Sequence, residues 1–339
     1  MADGFDLRSL AVPVVVAPMA GGPSTPELAA AGTNAGGLGF LAAGYLSAEV
    51  LAERIAAARS LTTGPLGVNL FVPQPSAATP AAIEAYAATL AADAQRYGVE
   101  LGNPAFTDDD WAAKVELLLD VRPEVASFTF GLPAAAECKR LRDAGVATVA
   151  TVTSVDEADA AASCGVGAIA VQGPSAGGHR GTFDPVAEPN PQPLDELLAA
   201  VIGRVDVPVV AAGGLMSADD VARVVGKGAV AAQLGTAFLL ADEAGSSPVH
   251  RTALQDPQFT ETHVTKAFSG RYARGLRNRF MNDHDAHAPF GYPEVHYLTG
   301  PLRAGSVRAG DPHGTNVWAG TGFKAIRTGS VADIIAGLS

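Results

Sequence analysis

A single histidine in a glycine-rich segment, His179, is the strongest candidate for a catalytic side chain. Residues 172–181 read Gln-Gly-Pro-Ser-Ala-Gly-Gly-His-Arg-Gly and follow a short apolar run that is typical of a strand. Glycines and a proline at this density disfavour regular structure and let backbone amides approach a ligand closely. A lone histidine is more often structural, but the glycine neighbours argue against burial in a packed core. His179 is therefore predicted to act as a catalytic group near neutral pH.

Two further loops predict an anion site. Gly213-Gly214 and Gly235-Thr236 each follow an apolar run and precede helical sequence. Backbone N–H groups in such loops, together with the Thr236 hydroxyl, can hold a phosphate without a lysine. Tight turns alone would explain one loop of this kind, but they explain two in consecutive units less easily. We therefore predict a ligand that bears a phosphate.

Two amides and a methionine are candidates for contact with the rest of that ligand. Asn69 lies inside an apolar predicted strand, where a polar amide needs hydrogen-bond partners. Asn69 and Gln172 could present their amides to the polar edge of a heterocycle. Met19 could lie against a flat ring, although core packing is the commoner use of methionine.

Eight apolar segments rich in β-branched residues must position these groups. Most are continuous apolar runs, as in strands that are buried on both faces. They span residues 12–18, 38–43, 66–72, 125–130, 146–151, 167–172, 207–212 and 229–234. Ala-rich helical stretches lie between them, and two of these begin with a capping serine, Ser154 and Ser217.

The repeat of strand and helix predicts a (β/α)8 TIM barrel. Predicted strands start at residues 125, 146 and 167, a spacing of 21 residues that fits one strand, one helix and two short loops. An open doubly wound sheet uses the same units, and composition leaves the two architectures about even. The glycine loops after the last two strands favour the barrel.

Two segments interrupt the repeat and predict helical insertions after strands 3 and 8. Residues 74–122 are proline-rich and then Ala-rich, and residues 251–285 are polar, Arg-rich and helical in parts, with no strand pattern. We expect them to form a smaller, lid-like domain, while residues 1–73, 123–250 and 286–339 form the barrel. Arg271, Arg274, Arg277 and Arg279 are expected to form a solvated or salt-bridged face.

Composition excludes several classes of function. The 339 residues carry 23 basic and 35 acidic side chains, a net charge of −12, so nucleic acid and anionic membranes are poor partners. Cys138 and Cys164 are the only cysteines, which argues against a secreted disulfide framework. With no apolar signal core or membrane-spanning run, a cytoplasmic protein is expected. His284, Asp285 and His287 lack further ligands, so no metal site is predicted.

With these residues placed, the sequence resembles the nitronate monooxygenases, once called 2-nitropropane dioxygenases. The resemblance runs from about residue 12 to residue 327. Its marks are Ala17-Pro18-Met19-Ala20, Ser127-Phe128-Thr129-Phe130-Gly131, the segment 172–181, Ala212-Gly213-Gly214, Gln233-Leu234-Gly235-Thr236 and Tyr292-Pro293-Glu294-Val295-His296-Tyr297. Each motif alone is weak, but their order along the chain is specific to the family.

The resemblance implies a barrel that holds FMN non-covalently and oxidises alkyl nitronates with O2 to a carbonyl compound and nitrite. His179 matches the active-site histidine of the family, which can hold the nitronate oxygens or take a proton from a neutral nitroalkane. The implied cofactor-binding residues are Met19, Asn69, Gln172, Gly177, Gly214, Gln233, Leu234, Gly235 and Thr236. The implied substrate-contacting residues are Ser127, Thr129 and Tyr297.

The sequence departs from the family pattern at two positions, and other functions compete. Ser175 stands where the family often has an acidic residue, and Thr129 where some members have a second histidine. Propionate 3-nitronate is one candidate substrate, and a homodimer is the expected assembly. An alternative on the same barrel is an NAD(P)H-dependent FMN reductase, acting on an enoyl thioester or a quinone. A third is a flavin- or phosphate-binding module without catalysis.

Overall fold

Eight parallel strands close into a barrel, which confirms the predicted fold. The computed structural model describes residues 4–338. The barrel strands are β1 (Val14–Val16), β2 (Leu38–Ala42), β3 (Leu66–Phe71), β4 (Val125–Thr129), β5 (Ala147–Val152), β6 (Ala168–Gln172), β8 (Val209–Ala212) and β9 (Ala231–Leu234). Closure occurs at β1, where Val15 lies opposite Leu38 of β2 on one side and Gln233 of β9 on the other.

Helices surround the barrel and extend into the insertions. They are α1 (Pro26–Asn34), α2 (Ala48–Leu61), α3 (Pro80–Thr89), α4 (Ala91–Tyr97), α5 (Trp111–Val121), α6 (Ala135–Asp143), α7 (Val155–Cys164), α8 (Leu194–Ile202), α9 (Ala218–Gly226), α10 (Pro248–Gln255), α11 (Arg279–His284), α12 (Glu294–Arg308) and α13 (Val331–Ala336). The two predicted caps are confirmed, because Ser154 Oγ accepts from the N–H of Glu157 and Ser217 Oγ from that of Asp220.

Burial of the strands on both faces explains their unbroken apolar sequence. Side chains such as Val15, Phe40 and Val149 fill the inside of the barrel. Neighbours such as Val14 and Val152 face outward and pack with the surrounding helices. Because nearly every strand residue is buried, the alternation of a one-sided sheet is missing from the sequence.

The segment 74–122 divides between the barrel and a second apolar cluster. α5 contacts α2, α6 and β3, and so fills the place of a barrel helix. α3 and α4 instead pack on α12, and they share buried side chains with the region around Phe268 and Phe280. The division of the chain into a barrel and a lid-like domain at the boundaries given above stays a prediction.

The segment 251–285 differs from expectation because it contains strands as well as helices. β10 (Thr262–Thr265) and β11 (Ala273–Leu276) form an antiparallel sheet with β7 (Gly178–His179), outside the barrel. In that sheet Ala273 lies opposite His179. The strands were not evident from the sequence because each is only four residues long and mixes polar with apolar side chains. Across residues 4–338, no helix has both the length and the apolar character that crossing a membrane requires.

Candidate active site

A cavity of about 680 Å³ opens at the carboxyl ends of the barrel strands and brings most of the predicted site residues together. His179, the glycine loops, and the side chains of Met19, Asn69 and Gln172 all lie on its wall. Thr129, Gln233 and Leu234 lie there as well. The location is the one at which a barrel of this kind carries its catalytic groups. Ser127 and Tyr297 lie behind the wall: Ser127 is buried against Asn69, and Tyr297 lines a small side pocket.

One end of the cavity has free hydrogen-bond donors that suit an anion. The backbone N–H groups of Gly177, Gly214, Gly235 and Thr236 donate to no residue that the structure describes. Gly214 has φ +77°, and a Cβ there would lie 2.7 Å from Ser175 Cβ, so glycine is required. Thr236 Oγ1 accepts from the Gly320 N–H at 2.9 Å, which leaves the hydroxyl hydrogen free to donate. Four amides and a hydroxyl can therefore surround phosphate oxygens here.

Three amide side chains in the cavity wall, those of Asn69, Gln172 and Gln233, differ in their hydrogen bonds. Asn69 Nδ2 donates to Ser127 Oγ at 2.9 Å and to Thr129 Oγ1 at 3.1 Å, which leaves its Oδ1 as an acceptor. The side-chain amide of Gln233, on the same wall, hydrogen-bonds to none of residues 4–338 and is free to contact a ligand. Gln172 instead uses both ends of its amide within the protein, because Nε2 donates to the His179 carbonyl at 3.0 Å and Oε1 accepts from the Gly181 N–H at 2.9 Å. Gln172 thus holds the loop that carries the histidine.

His179 is a neutral imidazole in an aromatic surrounding. Its Nε2 lies 2.8 Å from Ser269 Oγ, and its ring meets the rings of Phe130, Tyr292 and Trp318 edge-on at 5.5–5.8 Å. Burial, followed by the positive charges of Arg271 and Arg303, lowers the pKa of His179 to about 3. At neutral pH the ring is therefore uncharged.

Arg271 is a buried cation and not part of a solvated face, so the expectation for this residue is wrong. It is 1% exposed, and its guanidinium lies 4.1 Å from the centre of the Phe130 ring. It donates to Gln74 Oε1 at 2.6 Å and to the Thr182 carbonyl, and no carboxylate pairs with it among the described residues. Burial lowers the pKa of Arg271 to about 10, which leaves it charged at neutral pH. Arg277 and Arg279, by contrast, form the expected ion pairs.

Another arginine, Arg303 on α12, lines the cavity itself. Its guanidinium donates to Thr299 Oγ1 at 3.1 Å, to Asn316 Oδ1 at 3.2 Å and to the His296 carbonyl at 2.7 Å. All these acceptors are neutral, and the part of the chain from residue 4 to 338 offers this arginine no carboxylate partner. A cavity that holds an unpaired cation, in a chain of net charge −12, favours an anionic ligand.

An aromatic stack forms part of the cavity wall. Tyr45 and His296 lie face to face, with ring centres 4.0 Å apart and planes within 3°. Tyr45 is held in a left-handed conformation, φ 69°, by Asp109, whose Oδ1 accepts from the Tyr45 N–H at 2.8 Å. Lys114 in turn pairs with Asp109 at 2.7 Å. Burial raises the pKa of Tyr45 to about 12, so its hydroxyl stays protonated.

Sequence reasoning missed several residues on this wall: Tyr45, Ser269, His296, Arg303 and Trp318. A signal existed for two of them. His296 lies within the quoted motif 292–297, and Arg303 follows it by seven residues, which places both on one face of a helix. Tyr45 and Ser269 come to the site only through the tertiary fold.

The cysteines and the histidines considered in the sequence analysis as other candidates lie outside this cavity. Cys138 is buried and Cys164 partly buried, with their Sγ atoms 3.7 Å apart. His284 Nε2 bonds to Asp93 at 2.7 Å, and Asp285 accepts from Thr265 and Lys266. Within residues 4–338, no cluster of three or more histidine, cysteine or acidic side chains could hold a metal.

The chain is similar to known proteins over nearly its whole length. The family model described as nitronate monooxygenase matches residues 6–339. A probable nitronate monooxygenase of Staphylococcus aureus (strain MSSA476) is 35% identical over 341 residues, which is 98% of this chain and 94% of the relative. The solved structure of nitroalkane oxidase from Streptomyces ansochromogenes is 46% identical, with a TM-score of 0.94 over 97% of this chain and 95% of its own. FabK from Thermotoga maritima is 25% identical, with a TM-score of 0.74 over 98% and 93%.

Proposed function

The chain belongs to the nitronate monooxygenase family, and on that premise we propose that it oxidises alkyl nitronates with O2 to a carbonyl compound and nitrite. It is a flavin oxidoreductase. We propose FMN as the flavin and small nitronates, such as propionate 3-nitronate, as substrates. The cytoplasm as its compartment and a homodimer as its assembly stay predictions.

The observation that carries the proposal is the unpaired positive charge of Arg303 in the cavity wall beside a neutral His179. A nitronate is an anion, and its oxygens are acceptors that a guanidinium can bind. Because His179 is uncharged at neutral pH, the cation that attracts the substrate is Arg303 and not the imidazole. The aromatic rings beside His179 offer contact to the alkyl part of the substrate.

The residues around the cavity fit FMN. The free amides of Gly177, Gly214, Gly235 and Thr236 would hold its phosphate. Asn69 Oδ1 and the Gln233 amide would meet the polar edge of the ring system, and Met19 and Leu234 would lie beside it. FMN, when bound, supplies the redox chemistry that these side chains lack.

His179 would act directly on the substrate. Its ring lines the cavity, and its neutral state leaves one ring nitrogen able to accept a proton. It can therefore take the proton next to the nitro group of a nitroalkane, or hold the oxygens of a nitronate that is already formed. The aromatic and apolar surroundings of the ring limit access of water to this proton.

An anaerobic visible spectrum of the FMN-loaded protein tests the proposal. Propyl-1-nitronate is added in one sample and NADH in another, and nitrite is measured after air is admitted. We expect nitronate to change the flavin absorbance, NADH to leave it unchanged, and nitrite to form in air.

Each other outcome contradicts the proposal in its own way. Bleaching by NADH alone would favour the NAD(P)H-dependent reductase alternative. An unchanged spectrum with both compounds would favour a binding module. A purified protein that cannot be loaded with FMN would contradict the assignment of the glycine loops.

A further inference from the structure

Ser269 is placed to decide which nitrogen of His179 carries a hydrogen. Its Oγ lies 2.8 Å from His179 Nε2 and 3.3 Å from the carbonyl oxygen of Arg271. Ser269 is only 2% exposed, so water is not a ready partner. A serine hydroxyl has one hydrogen to donate and lone pairs to accept with, so these two contacts must share it.

The Arg271 carbonyl determines where that hydrogen goes. A carbonyl oxygen can only accept, and within residues 4–338 no other hydrogen bond reaches this one. Leaving a buried carbonyl without a donor is costly. When the Ser269 hydroxyl donates to the carbonyl, its oxygen presents a lone pair to His179, and Nε2 must carry the hydrogen.

The other ring nitrogen, Nδ1, is then bare. A neutral imidazole carries one hydrogen, so a hydrogen on Nε2 leaves a lone pair on Nδ1. Nδ1 makes no hydrogen bond with the residues that the structure describes, and the ring lines the cavity. Its lone pair is therefore available to a ligand.

The turn that carries Ser269 is held tightly. Gly270 has φ +73°, and a Cβ there would lie 2.7 Å from the backbone of Gly291. The Gly291 N–H donates to the Gly270 carbonyl at 3.0 Å, and Thr299 Oγ1 donates to the Phe268 carbonyl at 2.5 Å. Ser269 is thus fixed on both sides, as a residue that orients another must be.

We propose that Ser269 is a positioning residue that holds His179 with Nε2–H toward Ser269 and the Nδ1 lone pair toward the cavity. The inference rests on the proposed function and decides between the two roles of His179 in favour of proton acceptance. The C–H bond next to the nitro group breaks, its electron pair stays on the substrate as the nitronate, and the proton goes to Nδ1. The positive charge of Arg303 stabilises the anion that forms. The opposite tautomer would present Nδ1–H, which cannot accept this proton.

The test combines a measurement of the His179 tautomer with a comparison of kcat/KM for two substrates. The FMN-loaded protein is labelled with 15N-histidine, and the His179 signals are identified by their absence from His179→Asn. Long-range 1H–15N correlation then reports which nitrogen is protonated. kcat/KM is measured for neutral 1-nitropropane, which must lose a proton, and for preformed propyl-1-nitronate, which need not.

We expect wild-type His179 to be protonated at Nε2, and Ser269→Ala to lose this single tautomer. kcat/KM for 1-nitropropane should fall about 10-fold or more in Ser269→Ala, toward the range for losing a general base, while that for the nitronate stays within about threefold. Ser269→Thr keeps the hydroxyl and should restore the wild-type tautomer. Ser306→Ala is the matched control, because Ser306 is also buried and also donates to a carbonyl, that of Asp311, but contacts no histidine in the described structure.

A wild-type His179 protonated at Nδ1 would overturn the proposal, as would an unchanged tautomer in Ser269→Ala. An equal fall for both substrates would also overturn it, because a general loss of structure acts on both. If the wild type oxidises neither substrate, the proposed function fails, and the tautomer still tests the role of Ser269 by itself.

Discussion

Replacing Gly235 by valine should empty the cofactor site while leaving the fold intact. Gly235 has φ −109°, which other residues adopt freely, so a side chain causes no backbone strain here. A Cβ at this position would lie 3.5 Å from Ala17 Cβ and 3.6 Å from Met19 Sδ, which is ordinary contact. Gly235→Ala should therefore be tolerated. The two further carbons of valine extend about 1.5 Å beyond Cβ. They must displace Met19 or enter the cavity in front of the free amides.

The expected loss of affinity follows from the donors that valine would cover. The N–H groups of Gly235 and Thr236 have no partner within residues 4–338 and would each donate to a charged phosphate oxygen. Hydrogen bonds to charged groups contribute about 1.5–3 kcal/mol each, so losing both costs about 3–6 kcal/mol. Since about 1.4 kcal/mol is a factor of ten, the Kd for FMN should rise about 10²- to 10⁴-fold.

The assay is titration of the apoprotein with FMN, followed by quenching of flavin fluorescence. Gly235→Ala is the matched control and should keep a Kd close to that of the wild type. Circular dichroism and the Tm of each apoprotein show whether the variant is folded. A folded Gly235→Val protein that binds FMN with the wild-type Kd would refute the placement of the phosphate at this loop.

Three further perturbations test titratable groups of the protein. His179→Asn should keep bound FMN but lower turnover of a neutral nitroalkane about 10²-fold, as for loss of a general base, and wild-type turnover would contradict its catalytic role. The pKa of His250 is lowered from 6.5 to about 4, and those of His179 and His296 are also lowered, so these rings fold neutral and the stability this provides is lost as pH falls below 6.5. His250 should contribute a slope of up to about 1.4 kcal/mol per pH unit to the unfolding free energy between pH 6.5 and about 4. His250→Gln should remove this contribution from the pH dependence of the unfolding free energy measured in urea, and an unchanged slope would contradict the burial argument. Asp93→Asn removes the carboxylate that contacts Arg279 and His284, each at 2.7 Å, and should cost about 3 kcal/mol, measured as a Tm lower by about 4 °C in a chain of 339 residues; a shift below about 1 °C would count against it.

The barrel could be predicted from sequence because its signal is local and repeated. A run such as residues 167–172 is apolar throughout, and its neighbours recur at a constant spacing with capping serines between them. The short strands β10 and β11 could not be predicted in this way. β11 pairs with β7, which is distant in sequence, and with β10, from which a long turn separates it. Neither β10 nor β11 has a continuous apolar pattern that would indicate a strand. Likewise, nothing local shows that α5 packs on the barrel while α3 packs on α12.

The cofactor end of the site was more predictable than the substrate end. Gly214 and Gly235 would hold the proposed cofactor through the backbone, and glycine itself marks such positions in a sequence. Arg271 and Arg303 stand out because residues 4–338 offer them no carboxylate partner, a property that arises only in the folded chain. The sequence placed Arg271 in an exposed cluster because its neighbours along the chain are polar. Tyr297 was chosen from a motif in which His296, one residue earlier, is the side chain that lines the cavity.

His179 lies on a strand that is not part of the barrel. Its two-residue strand β7 pairs with β11 of the outer sheet, while the glycine loops at 213–214 and 235–236 follow barrel strands. A change of length or sequence between residues 262 and 276 therefore re-aims the imidazole and leaves those loops where they are. In descent from a common ancestor, new reactions can arise through changes in this one short segment while the glycine loops stay unchanged. The same segment, residues 262–276, is the one to exchange with that of a relative when the reaction of this enzyme is to be changed by design.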